Sequence, residues 1–466
     1  MPNSLQRILG FKECLALVIG SVIGSGIFMK PAIMAGQLQS AWLLIAVWII
    51  AGFITLCGAL TNAETAAMFP ETGGQYVFLQ KMYGKTFSFF YGWSAFSVIN
   101  TAGNASIAYV CSQYIDFFLH LPELNSSIVN ASQMHIPGIG KLIFLEHFYL
   151  KIVTILILAI FTFLNIRSTN WSAKTQNILS SLKIIAILLI ILGALPSAFN
   201  NASNIEYHKS DFNLNTFMMA LTGAFWAYDG WNNLGFVAGE IKNPQKNIPR
   251  AYFIGLLVCI LSYVLLNLAY IFTLGIPTMP SSSFIASDAG TSIWLGSGAI
   301  IITIMVVLST AGTVNSNVLS TSRVSYAWFK DNNFYPQLNI IHSRFQSPVF
   351  ALSMNLLWSS VLIMTGSFDM LTDMLIFVTW FFYGMSALGV IILRFKMPDY
   401  PRIYKVWLYP IPTLIFIIFT FSYLIITIYN DVENYVNDKS PVIQSLLGLI
   451  ICFSGLPLYF LRKKIR

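Results

Sequence analysis

Two short glycine-containing segments carry the residues whose types suggest chemistry in this chain. One runs from Gly24 to Phe28 as Gly-Ser-Gly-Ile-Phe, and the other runs from Phe225 to Gly230 with an acid, Asp229, before its glycine. Each lies within a long apolar run, where glycine weakens a helix and an ionised carboxylate needs a cavity, a partner or a cation. We interpret both segments as breaks in membrane-embedded helices.

The first break would expose a helix N-terminus inside the protein. The backbone amides of Ser25, Gly26 and Ile27 would lie at the start of its second half, and such amides attract an anion such as a carboxylate. An alternative stays open, because Gly20 and Gly24 also form a GxxxG face that would let another helix approach closely.

The second break would expose a helix C-terminus. Carbonyls of Phe225, Trp226 and Asp229 would be free there and would attract a cation such as an α-ammonium group. The two breaks together would bind both ends of a zwitterion at the membrane midplane. For Asp229, a structural ion pair or a neutral buried acid is the alternative.

Three further charged residues fall within or beside apolar runs. Lys183 lies about nine residues, roughly 14 Å at helical rise, from the span end near Lys174. Its ammonium group would be a fixed cation or a proton carrier beside the first break, unless its long side chain extends back to the interface. Glu64 and Arg323 lie near span ends, where we expect interfacial salt bridges.

The composition requires a membrane. Of 466 residues, 56% are hydrophobic and only 9% are charged, and a spanning helix needs about 20 apolar residues. No large soluble domain fits between the apolar runs. The predicted fold is all-α, with about twelve spans at 12–38, 41–67, 85–118, 147–166, 175–196, 213–239, 250–276, 291–321, 348–366, 371–393, 405–428 and 442–461.

The basic residues report orientation rather than nucleic-acid binding. With both termini placed in the cytoplasm, 20 of the 26 Lys and Arg residues fall in cytoplasmic loops and tails. The external loops hold four, Lys141, Lys151, Lys209 and Lys439. This bias follows the positive-inside rule and predicts cytoplasmic termini. We expect the external loops 119–146 and 277–290 to be connectors.

The remaining reactive residue types predict neither a metal site nor a cofactor. The five cysteines lie in or beside apolar segments without metal-ligand spacing, and the five histidines fall in loops or at span ends. A membrane enzyme would need clustered reactive groups at one face, and a channel would need rings of filter residues. Neither pattern is present, so we predict a protein that is not an enzyme.

Longer motifs resemble the amino acid, polyamine and organocation transporters, especially the bacterial relatives of the L-type amino-acid exchangers. The resemblance spans nearly the whole chain. It is carried by GSGIF from Gly24, GALTNAETAAMFPETGGQY from Gly58, WAYDGWNNLGFVAGEIKNPQKNIPRA from Trp226 and STAGTVNSNVLSTSR from Ser309.

The resemblance implies two inverted five-helix repeats, at 1–200 and 201–395, with two additional helices and a short cytoplasmic tail at 396–466. Spans one and six are then discontinuous and equivalent. It also assigns the ammonium group to the carbonyls of Val22, Trp226 and Asp229, and it makes Trp226 a gate over the substrate. An aspartate at position 229 resembles exchangers of cationic as well as neutral amino acids, and a lysine at position 183 resembles members that work without sodium.

Three departures bear on substrate and partner. Gly239 and Glu240 stand where many animal members have two acids, and Asn317 stands where those members have a tryptophan. The external loop between spans three and four lacks a cysteine, so we expect no disulfide-linked heavy chain.

We therefore predict a sodium-independent amino-acid exchanger in the plasma membrane of a bacterium, working by alternating access. The alternatives are a proton-coupled symporter and a receptor with a transporter fold. A receptor would usually carry a sizeable cytoplasmic extension. Carried amino acids and oligomeric state stay open.

Overall fold

The computed structural model describes residues 7, 9–71, 73–167, 182–209, 211–331 and 347–465. Over these residues the chain is an all-α polytopic membrane protein. Its long helices expose large apolar side chains such as Phe53, Leu156, Ile160, Ile418 and Ile425 on their outer faces, each more than half exposed. Burying such groups in water-excluding surroundings is favourable, so these faces fit lipid rather than solvent.

The first half of the chain contains one broken and several continuous helices. Helix α1 (Phe11–Val22) is followed by a 3-10 turn (Gly26–Phe28) and α2 (Lys30–Leu38). The next helices are α3 (Ala41–Met68), α4 (Gln75–Tyr83), α5 (Lys85–Ser94), a π-helical turn (Ala95–Ile99), α6 (Asn100–Leu119), α7 (Ser126–Ala131) and α8 (Phe148–Arg167). Helix α9 is described over 182–193, so the start of the predicted span 175–196 lies outside the described residues.

The second half begins with α10 (Leu195–Asn200), α11 (Leu214–Tyr228) and α12 (Asn233–Phe236). The remaining helices are α13 (Pro244–Leu274), α14 (Ile285–Asp331), α15 (Val349–Thr365), α16 (Phe368–Lys396), α17 (Ile411–Val436), α18 (Gln444–Phe453) and α19 (Gly455–Ile465). Eight helices in these described segments are long and apolar enough to cross a bilayer. Every predicted span overlaps at least one of the helices α1 to α19.

Helices α3 and α16 form much of the interior. In the most apolar stretch of each helix, 67% of the α3 residues and 72% of the α16 residues are buried, against 33% for α8. Both helices contact each other, and α3 also packs against α11 and α13. These interior helices therefore surround the broken segments, while α8 and α17 lie at the periphery.

The two loops predicted to be external contain more structure than expected. In the loop expected at 119–146, α7 is followed by an antiparallel hairpin of β1 (Gln133–Ile136) and β2 (Gly140–Ile143). The turn contains Pro137 and Gly138, with φ +75° at the glycine, and a proline followed by a glycine is a local signal for a turn. In the second loop, α14 begins at Ile285 and is interrupted at Trp294 and Leu295, the latter at φ +61°.

The expected salt bridge at Glu64 is present. Both carboxylate oxygens of this buried residue accept from Arg394, at 2.9 and 2.6 Å, and Arg402 Nε lies 3.5 Å away. The backbone amide of Val406 also donates to Glu64 at 2.9 Å. For Arg323 the expectation was wrong within the described part of the chain, since its guanidinium donates to the Leu319 carbonyl and makes no salt bridge there.

Candidate substrate site

The first predicted break is present in the structure. Helix α1 ends at Val22, Ile23 is extended at ψ 94°, and a short 3-10 turn precedes α2. Among the described residues, no acceptor pairs with the amides of Ser25, Gly26 and Ile27. They are orphan donors at a helix start, and therefore form an anion-attracting end.

The carbonyl end of α1 is occupied by groups from other helices. The Lys183 ammonium group donates to the carbonyl of Gly20, and the Tyr263 hydroxyl lies 2.8 Å from the carbonyls of both Val22 and Ala227. One lone pair of the Val22 carbonyl, a predicted ammonium ligand, is therefore used by Tyr263. Tyr263 thus joins the ends of both broken helices, a role that the sequence did not suggest.

The second break also lies where the sequence predicts it. Helix α11 ends at Tyr228, Asp229 is extended at ψ 159°, and Gly230 has φ +98°. A β-carbon at Gly230 would lie 2.6 Å from the carbonyl oxygen of Ser21. Only glycine permits both this backbone conformation and this approach of the two broken helices.

The two breaks contact each other at a second point. A β-carbon at Gly26 would lie 2.6 Å from Cα of Ala227 and 3.0 Å from the Trp226 ring. The amide end of one broken helix is therefore in direct contact with the carbonyl end of the other. This is the juxtaposition that a ligand with opposite charges at its two ends requires.

A cavity of about 110 Å³ lies beside both breaks. Since one water occupies about 10–15 Å³ by this measure, the cavity holds the volume of several waters and has room for an amino acid. Its lining includes Val22, Gly24, Ser25, Gly26, Trp226 and Asp229 from the predicted set.

Two predicted residues do not line this cavity. The side chain of Ile27 is fully buried. The Phe225 ring packs against Trp380, with centroids 3.8 Å apart, and against Tyr423 at 5.3 Å. Their backbone groups remain the predicted contacts, whereas their side chains stabilise the helices around the site.

Asp229 faces the cavity, and its carboxylate is oriented by a tyrosine. The Tyr383 hydroxyl donates to Oδ1 of Asp229 at 2.8 Å. Trp231 supports the tyrosine ring at a centroid distance of 4.8 Å. No cation lies within salt-bridge distance of Asp229 in the described part of the chain, so the ion-pair alternative finds no partner there.

Trp226 covers one side of the cavity. It is 7% exposed and packs edge-on against Phe368, with ring centroids 5.2 Å apart. The Lys30 ammonium group, which does not line the cavity, lies 5.9 Å from the centroid of the Trp226 ring. Trp226 is therefore close both to the cavity and to Lys30.

Lys183 lies next to the first break and does not extend to the interface. Its side chain is 1% exposed and bonds the Gly20 carbonyl near the end of α1. The ammonium group complements the negative end of that half-helix. It does not line the cavity, so any effect on the substrate passes through α1.

Known proteins share this sequence pattern over nearly its full length. A family model described as amino acid permease matches residues 9–453. The chain belongs to the amino acid permease family. It is therefore an amino-acid transporter and not an enzyme, and it resembles the L-type exchangers.

Named relatives of this permease come from both animals and bacteria. The human large neutral amino acids transporter small subunit 2 is 29% identical, with 98% of this chain and 81% of the relative aligned. The serine/threonine exchanger SteT of Bacillus subtilis (strain 168) is 29% identical over 99% of this chain and 98% of its own. The human cystine/glutamate transporter is 28% identical over 98% of this chain and 85% of its own.

Several lining residues of the permease cavity were not predicted. Gln75, Tyr91, Asn232 and Tyr383 all face it. Asn317, which stands where many animal members have a tryptophan, also lines the cavity, and its amide donates to Asn104 at 2.9 Å. These residues come from helices far apart in the chain, so their spacing gives no sequence signal.

A buried chain of amides fixes the segment after the second break. Asn62 donates to Asn232 at 2.8 Å, and Asn232 donates to Gln75 at 2.9 Å. Gln75 donates onward to the Phe382 carbonyl, and Ser386 donates to Asn62. Fully paired buried networks of this kind hold a single geometry, and here the network connects the second break to α3, α4 and α16.

Proposed function

We propose that this permease is a sodium-independent exchanger of neutral and cationic L-amino acids, working by alternating access in a bacterial plasma membrane. The observation that carries the proposal is the contact between the unpaired amides at Ser25 to Ile27 and the carbonyl end at Trp226 to Asp229 beside one small cavity. The amides would bind the substrate carboxylate. The carbonyls of Val22, Trp226 and Asp229 would bind its ammonium group.

Sodium independence is supported by Lys183. Its buried ammonium group already supplies a positive charge to the carbonyl end of α1, where a coupling cation would otherwise be stabilised. Exchange is supported by the similarity to SteT, which is a serine/threonine exchanger. We extend that mode to this chain as part of the proposal.

The arrangement in the membrane is part of the same proposal. Both termini lie in the cytoplasm, and 1–200 and 201–395 are inverted repeats followed by 396–466. The breaks in spans one and six agree with equivalent positions in two repeats. We propose that no heavy chain is attached by a disulfide, since the five cysteines are all buried.

Uptake into sealed, sodium-free vesicles tests this function. Vesicles containing the purified protein are loaded with an amino-acid mixture or left empty, and labelled arginine, leucine, serine and alanine are supplied outside. We expect uptake into loaded vesicles only. Uptake that needs sodium or a proton gradient would contradict the proposal, and uptake of none of the four under any condition would exclude these substrates.

Replacing Asp229 by Asn tests the cationic substrates. We expect Asp229→Asn to lose arginine uptake by about tenfold or more while leucine uptake is retained, since a charge-assisted contact contributes about 1.5–3 kcal/mol. The measurement is uptake of both amino acids by the same vesicles. Asp399→Asn, at an exposed carboxylate outside the cavity, is the control and should alter neither. Equal loss of arginine and leucine would instead assign Asp229 a structural role.

A further inference from the structure

A second and larger cavity lies towards the end of the molecule predicted to face outside. Its volume is about 340 Å³, and it is bounded by α2, α11, α16, α17 and the loop before α18. We call it the outer cavity. Its charged and amide lining includes Lys30, Gln37, Asp369, Asp373, Asp431 and Asn434.

The outer cavity is stacked on the substrate cavity along α16. Asp373 lines the outer cavity, while Leu375, Thr379 and Tyr383 line the inner one. Thr379 lies six residues after Asp373, which corresponds to roughly 9 Å of helical rise. Trp226 and Phe368 pack against each other between the two, so a substrate that enters from outside meets the outer cavity first.

The outer cavity offers groups of both charges. Lys30 is 4% exposed, and its ammonium group donates to Asp369 at 2.7 Å and to Thr372 at 3.1 Å. An ammonium group has three N–H donors, so one N–H remains for a ligand carboxylate. The outer cavity therefore contains an ammonium group from α2 that is held by two acceptors on α16 and keeps one N–H free.

Its acceptors are also incompletely used. Within the described residues, Asp373 has no cation within salt-bridge distance, and Oε1 of Gln37 is buried without a donor. Asp431 accepts one bond, from the Ser445 amide at 2.8 Å. These oxygens can accept from a ligand ammonium group while Lys30 binds its carboxylate.

A metal ion is a poorer fit than an amino acid. No three His, Cys, Asp or Glu side chains approach closely enough to hold a metal ion in the described part of the chain. Paired positive and negative groups match a zwitterion, and with Lys439 also present the five charged lining residues sum to one negative charge. That balance favours a substrate with an additional positive charge.

We propose that the outer cavity is a second, low-affinity amino-acid site, preferring cationic amino acids, that receives substrate before it passes Trp226. The proposal rests on the function proposed above. It predicts that neutralising the outer cavity weakens capture from outside and leaves turnover at saturating substrate intact.

Uptake into intact cells from the external medium tests capture. We expect Asp373→Asn to raise the KM for arginine about two- to fivefold, the size of a partly solvated charge pair, with little change for leucine and none in maximal rate. Asp438→Asn is the matched control, because Asp438 is exposed on the same end and does not line the outer cavity. An unchanged arginine KM in a transporting Asp373→Asn variant would overturn the outer site alone. Wild-type protein that takes up no amino acid would overturn the proposed function itself.

Chemical labelling gives a readout independent of transport. The five native cysteines are buried, so a single Asn434→Cys substitution gives a defined target for a membrane-impermeant cationic thiol reagent. We expect arginine to slow labelling, and we expect adding Asp373→Asn to raise the arginine concentration that gives half-maximal protection about two- to fivefold. An unchanged half-protecting concentration in the double variant would overturn the proposal.

Discussion

Replacing Gly26 by alanine is expected to lower amino-acid uptake at least about tenfold. The added methyl group would overlap the backbone of Ala227 at 2.6 Å and the Trp226 ring at 3.0 Å, and a backbone cannot move aside as a side-chain tip can. Overpacking of this kind costs about 1–3 kcal/mol. The strain would fall on the contact between the two breaks, and would separate the amides from the carbonyl end they face. Uptake into loaded vesicles, with thermal stability of the purified protein, measures both effects.

Gly296→Ala is the matched control for that substitution. Gly296 lies in α14, does not line the substrate cavity, and a β-carbon there meets nothing within 4 Å. Alanine is also the better helix former, so Gly296→Ala should be at least as stable as the wild type and should keep its uptake. If Gly26→Ala transported as well as Gly296→Ala, the close contact between the breaks would not be needed for transport.

Loss of Lys183 is expected to abolish transport without preventing folding. In Lys183→Ala the Gly20 carbonyl loses its donor, and the negative end of α1 faces the site without compensation. We expect monodisperse protein in detergent with uptake reduced about a hundredfold, the effect of removing a buried charge worth about 3 kcal/mol. The measurement is uptake of leucine and arginine into loaded vesicles, normalised to folded protein.

A second buried lysine distinguishes this effect from general damage. Lys151 is 2% exposed and donates to the carbonyls of Ile143, Phe144 and Met364. Lys151→Ala should therefore lower thermal stability while leaving uptake per folded molecule unchanged. Normal flux in Lys183→Ala would show that Lys183 only stabilises the protein, and equal loss in both variants would deny Lys183 a special role.

The breaks could be predicted from sequence because their signals are local. Gly24 and Gly26 within one apolar span, and Asp229 beside Gly230 in another, each conflict with a continuous helix on their own. The structure places both breaks at those residues. The hairpin turn at Pro137 and Gly138 has an equally local signal in the sequence.

The rest of the site depends on long-range packing. Tyr383 reaches Asp229 across 154 residues, and Asn62 reaches Asn232 across 170. A tyrosine or asparagine within an apolar span gives no indication of its partner, because the partner is set by how α3, α4 and α16 pack. For the same reason, the sequence gives no indication that the Phe225 ring packs against Trp380.

The Tyr263 hydroxyl has a consequence for how the broken helices separate. It lies 2.8 Å from two carbonyls, those of Val22 and Ala227, yet a hydroxyl has only one proton to donate. The two acceptors therefore compete for it, and whichever half-helix moves away leaves the proton entirely to the other. Separation would weaken the hydrogen bond to one carbonyl and strengthen the hydrogen bond to the other, so the total hydrogen-bond enthalpy of Tyr263 would change little. Tyr263 would thus allow the two broken helices to move apart at little enthalpic cost.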